Sequence, residues 1–255
     1  MYAEERLQSM ARLVSDRRRV SVTDLSREYD VTTETVRRDL SQLERLGLVR
    51  RVHGGAVPAD ALVTVEAGLG ERDRTHADLK DLIATAAVAM LPPDGSSVVL
   101  DAGSTTSRLA AALPRDRRLV VFTHAVPVAA RLATLPLVEL HLLPGRVRTT
   151  TQAAVGPDTV AAVRVVRADV AFLGTNALNE SHGLSTPDPE EAATKRAIVG
   201  AARRVVVLAD SSKIGHESAI RFAALDEVDC VVTDAGVEPA DRRALERAGV
   251  EVVVA

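Results

Sequence analysis

Several residue types are scarce in this 255-residue sequence, and their scarcity narrows the class of protein. The chain has one cysteine, no tryptophan and only 2% aromatic residues. A lone Cys230 cannot form an internal disulfide or anchor a metal cluster, and its apolar neighbours predict a core residue. So few aromatic rings argue against stacking platforms for RNA or single-stranded DNA. We expect no bound metal ion and no cofactor.

Long apolar segments and a strong net charge are also missing. Without a leading apolar segment or an 18-residue apolar run, we expect no signal peptide, no membrane span and a cytoplasmic location. The formal net charge is −3, but residues 1–56 hold 11 Arg and no Lys against 9 acidic residues, which gives +2 there and −5 in the remainder. Any binding of DNA must therefore depend on where the arginines lie. The length and the 46% hydrophobic content predict two domains with sizeable cores.

The stretch VTTETVRRDLSQLERLGLVRRVHGGA, residues 31–56, predicts a helix followed by a short hairpin. Apolar residues recur at helical spacing and predict a buried stripe, while Thr32 and Thr33 can cap the start of the helix. The opposite face carries Arg37 and Arg38, which suits a major groove. Gly47 can end the helix in a left-handed conformation. The buried stripe is predicted to consist of Val36, Leu40, Leu43 and Leu46, and the hairpin of a strand from Leu48 to His53 turned at Gly54 and Gly55.

A shorter helix precedes this one and completes a DNA-reading unit. Ser21 and Asp24 form a capping-box start for a helix from Val22 to Tyr29. Helix, tight turn and second helix form a helix-turn-helix, and a third helix upstream supplies Leu7, Met10, Ala11 and Val14. The alternative is that the arginine pair only solvates a helix face, but the turn and the wing favour DNA. The predicted DNA-contacting residues are Ser21, Thr32, Thr33, Glu34, Thr35, Arg37, Arg38, Arg50, Arg51, His53 and Gly54.

Two motifs in this region carry a family resemblance. TVRRDL, Thr35 to Leu40, followed by the G-x-x-x-R-x-H-G-G wing, Gly47 to Gly55, resembles the winged helix-turn-helix of the DeoR family of bacterial sugar-metabolism regulators. The resemblance implies operator binding by residues 1–57. The opening MYAEER and the run into VRRVHGGAVP further resemble actinobacterial repressors of fructose-utilisation operons. That likeness implies fructose 1-phosphate as the first effector to test.

The rest of the chain predicts a linker and a larger α/β domain. Residues 58–74 contain Pro, two Gly and scattered charge, which is typical of a linker, and residues 75–255 form the second domain. Short apolar runs separated by helical sequence predict a mostly parallel sheet buried on both faces. Helices are predicted at His76 to Leu91, Thr106 to Leu113 and Pro189 to Arg203. The predicted strands are Ser97 to Leu100, Leu119 to Phe122, Val138 to Leu143, Val170 to Leu173, Val205 to Leu208, Val231 to Thr233 and Val250 to Val254.

Polar or glycine-rich residues follow five consecutive strands of this sheet, where ligands of open α/β sheets bind. After the first strand, DAGSTT places amides, three hydroxyls and a helix N-terminus together, which suits a phosphate. A helix cap is the competing interpretation, and no Walker lysine follows, which disfavours a nucleoside triphosphate. The candidate ligand-binding residues are Asp101, Gly103, Ser104, Thr105, Thr106, Thr123, His124, Gly145, Arg146, Gly174, Thr175, Lys195, Asp210 and Lys213.

The same strand ends resemble the DeoR-family sensor domain, which is similar in fold to ribose-5-phosphate isomerase and takes phosphorylated sugars. D-x-G-[ST]-T-T matches Asp101 to Thr106, E-x-x-x-K matches Glu191 to Lys195, and L-x-D-x-S-K matches Leu208 to Lys213. G-x-T is matched approximately by Gly183 to Ser185. The chain departs from the family in having Thr123-His124 in place of Thr-Asn, and Pro144-Gly145 in place of a Gly pair. These departures bear on the identity of the sugar more than on the phosphate.

Three functions compete at this point. The leading one is a repressor that has a winged helix-turn-helix of α+β class and a larger α/β sensor domain with a mostly parallel sheet. Its expected partners are duplex operator DNA and a phosphorylated sugar. We expect it to form a homodimer or homotetramer. The alternative is a sugar-phosphate isomerase fused to a DNA-binding domain. Enediol chemistry needs a carboxylate base, but Gly174-Thr175-Asn176 stands where the isomerase has its acids, which leaves Asp101 and Asp210 as substitutes. A purely architectural DNA-binding protein would leave the polar strand ends unexplained.

Overall fold

The computed structural model describes residues 3–17, 20–52, 54–58 and 66–255 of the chain. The chain divides into two compact units, Met1–Leu62 and Val63–Ala255. Each unit has its own hydrophobic core. The predicted combination of a winged helix-turn-helix with a larger α/β domain is confirmed.

The first unit is a three-helix domain with a small antiparallel sheet in the order β1-β3-β2. Its core includes Met10, Leu25, Leu40 and Leu43, all almost fully buried. Leu46, which the sequence placed on the buried stripe, is 62% exposed because helix α3 ends at Arg45 and Leu46 is only its C-cap. The elements are α1 (Ala3–Arg17), β1 (Val20–Ser21), α2 (Val22–Glu28), α3 (Thr33–Arg45), β2 (Val49–Val52) and β3 (Gly55–Pro58).

Local interactions fix the helix starts and the hairpin of this unit. The Ser21 hydroxyl accepts the Asp24 amide at 3.0 Å, which confirms Ser21 as the N-cap, and it donates to the Asp24 carboxylate at 2.7 Å, where a capping box would have the Ser21 amide as donor. A Cβ on Gly55 would lie 1.9 Å from the Val20 carbonyl oxygen, so this position has room only for glycine. The close approach lets β1 pair with β3 and completes the sheet.

The second unit is built on a seven-stranded sheet in the order β15-β14-β12-β9-β4-β5-β6, and every neighbouring pair is parallel. All seven predicted strands belong to it. The helices are α4 (Leu69–Arg74), α5 (Ala77–Val88), α6 (Ser104–Ala112), α7 (Val126–Leu132), α8 (Pro157–Arg164), α9 (Pro189–Ala201) and α10 (Pro239–Arg247). The sheet strands are β4 (Ser97–Leu100), β5 (Leu119–Thr123), β6 (Val138–Leu142), β9 (Ala168–Gly174), β12 (Ala202–Leu208), β14 (Cys230–Thr233) and β15 (Glu251–Val254).

Two smaller antiparallel sheets flank the main one and were not predicted. One is a hairpin of β7 (Arg146–Arg148) and β8 (Ala153–Val155). The other contains β10 (Ala177–Asn179), β11 (Gly183–Thr186) and β13 (Ile220–Ala223). The edge strands β6 and β15 also depart from the expectation of burial on both faces, because several of their residues are exposed.

Part of the predicted linker belongs to the second unit. Residues 69–74 form helix α4, and the Leu69 amide donates to the Thr150 carbonyl at 2.8 Å. Arg72 forms an ion pair with Glu66 at 3.2 Å, and its carbonyl accepts a hydrogen bond from Lys80. Residues 66–74 are thus a structured part of the α/β unit, held there by backbone and ionic contacts.

Cys230 belongs to the core of the second unit. Cys230 is fully buried in β14, as predicted, and burial raises the pKa of its thiol to about 11. None of the helices in the described ranges is long and apolar enough to cross a membrane.

Candidate functional site

The exposed face of α3 has the geometry expected of a recognition helix. Arg37 and Arg38 are exposed, and Arg37 forms a solvated ion pair with Glu34 at 3.5 Å, one helical turn earlier. On the inner side, Asp39 is buried and binds the Arg6 guanidinium through two contacts, of 2.6 and 3.2 Å. This ion pair fixes α3 against α1, so the arginine face is presented by a braced helix.

The wing is attached to α3 by Arg51. Its backbone amide donates to the Glu44 carboxylate at 2.7 Å, and its guanidinium donates to the Ser41 hydroxyl at 2.8 Å. Arg51 thus has a bracing role that the sequence did not predict, whereas Arg50 is half-buried and burial lowers the pKa of its guanidinium. His53 lies outside the described residues.

Other predicted DNA-contacting residues shape the backbone of the first unit. The Ser21 and Thr32 hydroxyls are engaged in helix caps, and Thr32 also bonds the Thr35 hydroxyl at 2.9 Å. Gly54 forms the turn of the wing at φ +72°. Thr33, at the start of α3, is exposed.

A buried cluster centred on Asp101 lies at the carboxyl end of the parallel sheet. Its carboxylate accepts hydrogen bonds from the Gly174 amide at 2.9 Å and from the Lys195 ammonium, which also donates to the Gly174 carbonyl at 2.9 Å. Burial raises the pKa of Asp101, but Lys195 and His124 together outweigh burial and lower this pKa to about 2. The cluster thus joins four predicted residues from the ends of β4, β5 and β9 and from α9.

His124 is held from both sides of its ring. Nε2 lies 3.0 Å from Asp101 Oδ1 and 3.2 Å from the Ala102 amide nitrogen, and Nδ1 lies 2.7 Å from the Ala154 carbonyl oxygen. The side chain is 1% exposed. His124 is therefore an integral member of the buried cluster and not a loose residue at a helix start.

The DAGSTT loop leads directly from Asp101 into helix α6. Ser104, Thr105 and Thr106 form the first turn of this nine-residue helix and are all buried. The Thr106 hydroxyl donates to the Gly103 carbonyl at 3.1 Å. In the described part of the chain, no such partner is recorded for the hydroxyls of Ser104 and Thr105. These two hydroxyls and the amides of the first turn are the groups that an anion would meet.

A second group of charged residues lies around Asp210, at the end of β12. The Asp210 carboxylate accepts from the Ser212 hydroxyl and lies 3.4 Å from His76 Nδ1. Lys80 is 3% exposed, and burial lowers the pKa of its ammonium to about 8, while Asp210 and Lys213 are close enough to act on that pKa in opposite directions. Sequence reasoning missed Lys80, although a lysine on the inward face of a predicted helix was a visible signal.

A buried ion-pair network near the start of α9 was also missed. Arg148 lies 3.0 Å from Glu66, 3.1 Å from Asp188 and 2.7 Å from Glu191. Burial raises the pKa of Glu66, as does neighbouring Glu191. The two charged residues of the E-x-x-x-K motif thus have separate partners. Glu191 contacts Arg148, and Lys195 contacts Asp101.

Four other predicted ligand residues make contacts within the protein. The Thr123 hydroxyl donates to the Leu100 carbonyl and accepts the Ala125 amide, and the Thr175 hydroxyl donates to the carbonyl of Ala177. A Cβ on Gly145 would lie 2.0 Å from the Thr159 hydroxyl, so its backbone is packed against α8. Arg146 is 64% exposed and forms an ion pair with Glu190, outside the buried cluster. Within the described ranges, no group of three or more His, Cys, Asp or Glu side chains could share a metal ion.

Each of the two units matches a known protein-family domain. Residues 6–61 match the DeoR-like helix-turn-helix domain, and residues 75–235 match the DeoR C-terminal sensor domain. The HTH-type transcriptional regulator GlpR of Haloferax volcanii is 38% identical over 99% of this chain and 98% of its own length. A putative aga operon transcriptional repressor of Escherichia coli O157:H7 is 31% identical over 98% and 93%. A ribose 5-phosphate isomerase A structure from Methanocaldococcus jannaschii, 19% identical, covers 55% of each chain with a TM-score of 0.41. The chain belongs to the DeoR family of transcriptional regulators.

Proposed function

We propose that this chain represses a sugar-utilisation operon and that a phosphorylated sugar, bound in the α/β unit, changes its affinity for the operator. The observation that carries the proposal is the pairing of two kinds of group at one edge of the sheet. Asp101, Lys195 and His124 offer donors and acceptors for sugar hydroxyls, and the first turn of α6 offers amides and hydroxyls for a phosphate.

The phosphate would lie at Ser104, Thr105 and Thr106. Their backbone amides form the positive end of α6, and the hydroxyls of Ser104 and Thr105, on largely buried residues, have no hydrogen-bond partner among the described residues. Lys80 adds a buried cation that Asp210 influences: burial makes its charge costly, so an anion bound near it would be stabilised. Lys213 is the second cation of this group.

The sugar hydroxyls would lie near Asp101, His124 and Asp210. Asp101 and Lys195 are buried and bonded to each other, so sugar hydroxyls would have to replace part of this pairing. The carboxylate would then accept from the hydroxyls and the ammonium would donate to them. Thr123, Gly145, Arg146 and Thr175 are less suited to direct contact, because their polar groups or backbones are engaged or lie outside the cluster. We name fructose 1-phosphate as the first effector to test.

Catalysis as an isomerase is less well supported. A general base works best when its pKa is close to the working pH, whereas Asp101, which remained as a substitute base, has its pKa held at about 2 by Lys195 and His124 against the effect of burial. The pKa of Asp210 is also lowered, because Lys213 and Ser212 outweigh the effect of burial. We therefore propose a sensor without turnover.

The DNA partner would be a duplex operator read by Arg37 and Arg38 from the major groove. The wing would contact the backbone through Arg50, with Arg51 dividing its interactions between Ser41 and the phosphates. One such unit covers few base pairs, so we propose a homodimer or homotetramer that reads repeated half-sites. Binding of the effector would release the operator, with a coupling of about 1 to 3 kcal/mol.

Calorimetry on the full-length chain tests the effector site. Fructose 1-phosphate should bind, and fructose should bind at least about tenfold more weakly because the helix-terminal amides lose their anion. Thr105→Val, which removes only the hydroxyl, should weaken binding of the phosphorylated sugar, while the exposed control Thr134→Val should not. Equal affinity for sugar and sugar phosphate would contradict the proposed phosphate site.

The coupling is tested with a duplex that the protein selects from a random pool. The effector should raise the dissociation constant of the wild-type protein for this duplex, and Thr105→Val should need more effector for the same change. A variant that binds the duplex normally and responds at the same effector concentration would show that Thr105 does not contact the ligand.

A further inference from the structure

Strand β6 (Val138–Leu142) lies at one edge of the main sheet and has a single strand neighbour, β5. The amide of Leu143 donates to the Thr123 carbonyl of β5, so the odd-numbered residues of this segment turn their backbone polar groups toward β5. In a parallel pair, the amide and carbonyl of one residue face the same neighbour. The backbone groups of Leu140 and Leu142 therefore face away from the sheet.

This edge lacks three features that commonly keep an edge strand from pairing with another chain, namely proline, lysine and a bulge. Its sequence is Val-Glu-Leu-His-Leu, without proline or lysine, and its register with β5 is regular along the strand. Edge strands that stay unpaired commonly carry such residues or a bulge. Apolar side chains are exposed in this strand and directly before it: Leu142 is 56% exposed and Leu137 38%. Both the backbone and the side chains of this edge are suited to a partner.

The strand is complementary to itself in antiparallel orientation. With a twofold axis at Leu140, Val138 faces Leu142 of the partner subunit, which joins apolar side chains. In the same register Glu139 faces His141 of the partner subunit, and the symmetry repeats this pair. Within one chain, His141 Nε2 already lies 2.9 Å from Glu139 Oε1, so both side chains project from the same face of the strand. We infer that β6 pairs with β6 of a second copy and continues the sheet across the twofold axis.

The opposite edge of the sheet is less suited to the same arrangement. In β15, the amide of Ala255 donates to the Thr233 carbonyl, so residues 252 and 254 face outward. A twofold axis between them would place Glu251 opposite Ala255 of the partner subunit, without an opposite charge. Glu251 also has an ion pair with Arg204 at 3.0 Å. In β6, by contrast, Glu139 can accept a hydrogen bond from the imidazole of His141 of the partner subunit, as it already does within one chain. This complementarity favours β6, which gives a defined surface to the oligomer proposed above.

Cysteine cross-linking tests the register of this pairing in the full-length chain. Residues 139 and 141 would be non-hydrogen-bonded partners with Cα atoms about 4.5 Å apart, within the range that a disulfide bridges. Glu139→Cys and His141→Cys proteins, mixed and treated with oxidised glutathione, should give a covalent dimer. Each variant alone should not, because identical positions would be about 7 to 8 Å apart. Native Cys230 is fully buried and should not take part.

Sedimentation of charge variants tests the same surface without a covalent bond. His141→Glu places like charges opposite each other twice, so the dissociation constant of the dimer should rise about tenfold or more. Glu139→Lys combined with His141→Glu restores opposite charges and should restore association. Circular dichroism verifies that each variant is folded.

The outcomes separate this inference from the proposed function. A wild-type chain that stays monomeric, or an oligomer that neither cross-links in the mixture nor responds to His141→Glu, would overturn the pairing through β6. Calorimetry of effector binding tests the proposed sensor site separately, because none of its residues lies in β6. Loss of effector binding with an intact cross-link would instead contradict the proposed sensor site.

Discussion

Replacing Lys195 with methionine should destabilise the second unit by about 3 to 5 kcal/mol, the range for removing one partner of a buried ion pair. Asp101 is 0% exposed, and Lys195 is 4% exposed. Burial raises the pKa of Asp101, and Lys195 with His124 lowers it from 3.8 to about 2. This shift corresponds to about 2 kcal/mol at neutral pH, and an uncompensated buried charge adds to the loss.

The dependence on pH has a definite sign. In the wild type the pKa of Asp101 is depressed, so its stabilisation is complete above the unfolded value of about 4 and is lost as the pH falls toward 2. In Lys195→Met, burial acts without the main compensating cation, so the pKa of Asp101 should rise. The carboxyl is then neutral at low pH, where its burial costs little. At neutral pH it must either carry a buried charge without its main partner or keep a proton that the unfolded chain would release, and both lower the stability. The stability difference between the two proteins should therefore grow between about pH 4.5 and pH 7.5.

Urea unfolding of the full-length proteins, followed by circular dichroism, measures this difference. The double variant Asp101→Asn with Lys195→Met removes both charges and should recover a large part of the loss. Arg203→Met is the control: Arg203 is 80% exposed and pairs with Asp169 in solvent, so its loss should change the stability by less than about 1 kcal/mol. A loss that is the same at both pH values, or a double variant as unstable as the single one, would refute the charge-compensation argument.

Three further predictions concern other contacts. Arg37→Ala and Arg38→Ala should each weaken operator binding by about 1 to 3 kcal/mol if they contact bases, and should flatten the salt dependence by about one unit if they contact phosphates; unchanged affinity in folded variants would show that α3 does not read DNA. Gly55→Ala should destabilise the first unit by about 1 to 3 kcal/mol in thermal unfolding, because its Cβ would lie 1.9 Å from a backbone oxygen, whereas the control Gly200→Ala in α9, which meets no atom within 4 Å, should not destabilise the second unit. Because the pKa of Lys80 is lowered to about 8, affinity for a sugar phosphate should fall as the pH rises past 8, and a flat profile in calorimetry between about pH 7 and pH 9 would place the anion elsewhere.

The central strands could be predicted from sequence because a strand buried on both faces is a short run of apolar residues. Ser97 to Leu100 was predicted with the observed bounds, and Leu119 to Phe122 is one residue shorter than β5. The small antiparallel sheets were missed, since β7 and β10 have three residues each and no continuous apolar run. At the edges, β6 follows the apolar composition of a buried strand but is exposed, because composition does not show which strand lacks a neighbour.

The site was predicted where its residues follow strands and missed where they meet across the chain. Asp101 and Lys195 were both identified by motif, but their ion pair joins residues 94 apart in sequence. Arg148 and Glu66 are 82 residues apart, and Glu66 lies in a segment that looked like a linker. Such pairs leave no local pattern, because a charged side chain in a helix or loop is usually solvated and only the fold shows which ones are buried.

The two contacts of His124 Nε2 have a consequence for a bound ligand. Nδ1 faces a carbonyl oxygen and must donate to it, so Nε2 has a lone pair in the neutral ring and a proton in the charged ring. The neutral ring can accept a hydrogen bond from the Ala102 amide, but its Nε2 lone pair then faces the lone pairs of Asp101. The charged ring can donate to Asp101, but its Nε2 proton then faces the Ala102 amide proton. Whichever form is present, one neighbour lacks its hydrogen bond. A ligand hydroxyl, which both donates and accepts, can supply the missing bond to either neighbour. Through this ring, a bound ligand can therefore act on the Asp101 carboxylate and on the Ala102 amide of the DAGSTT loop.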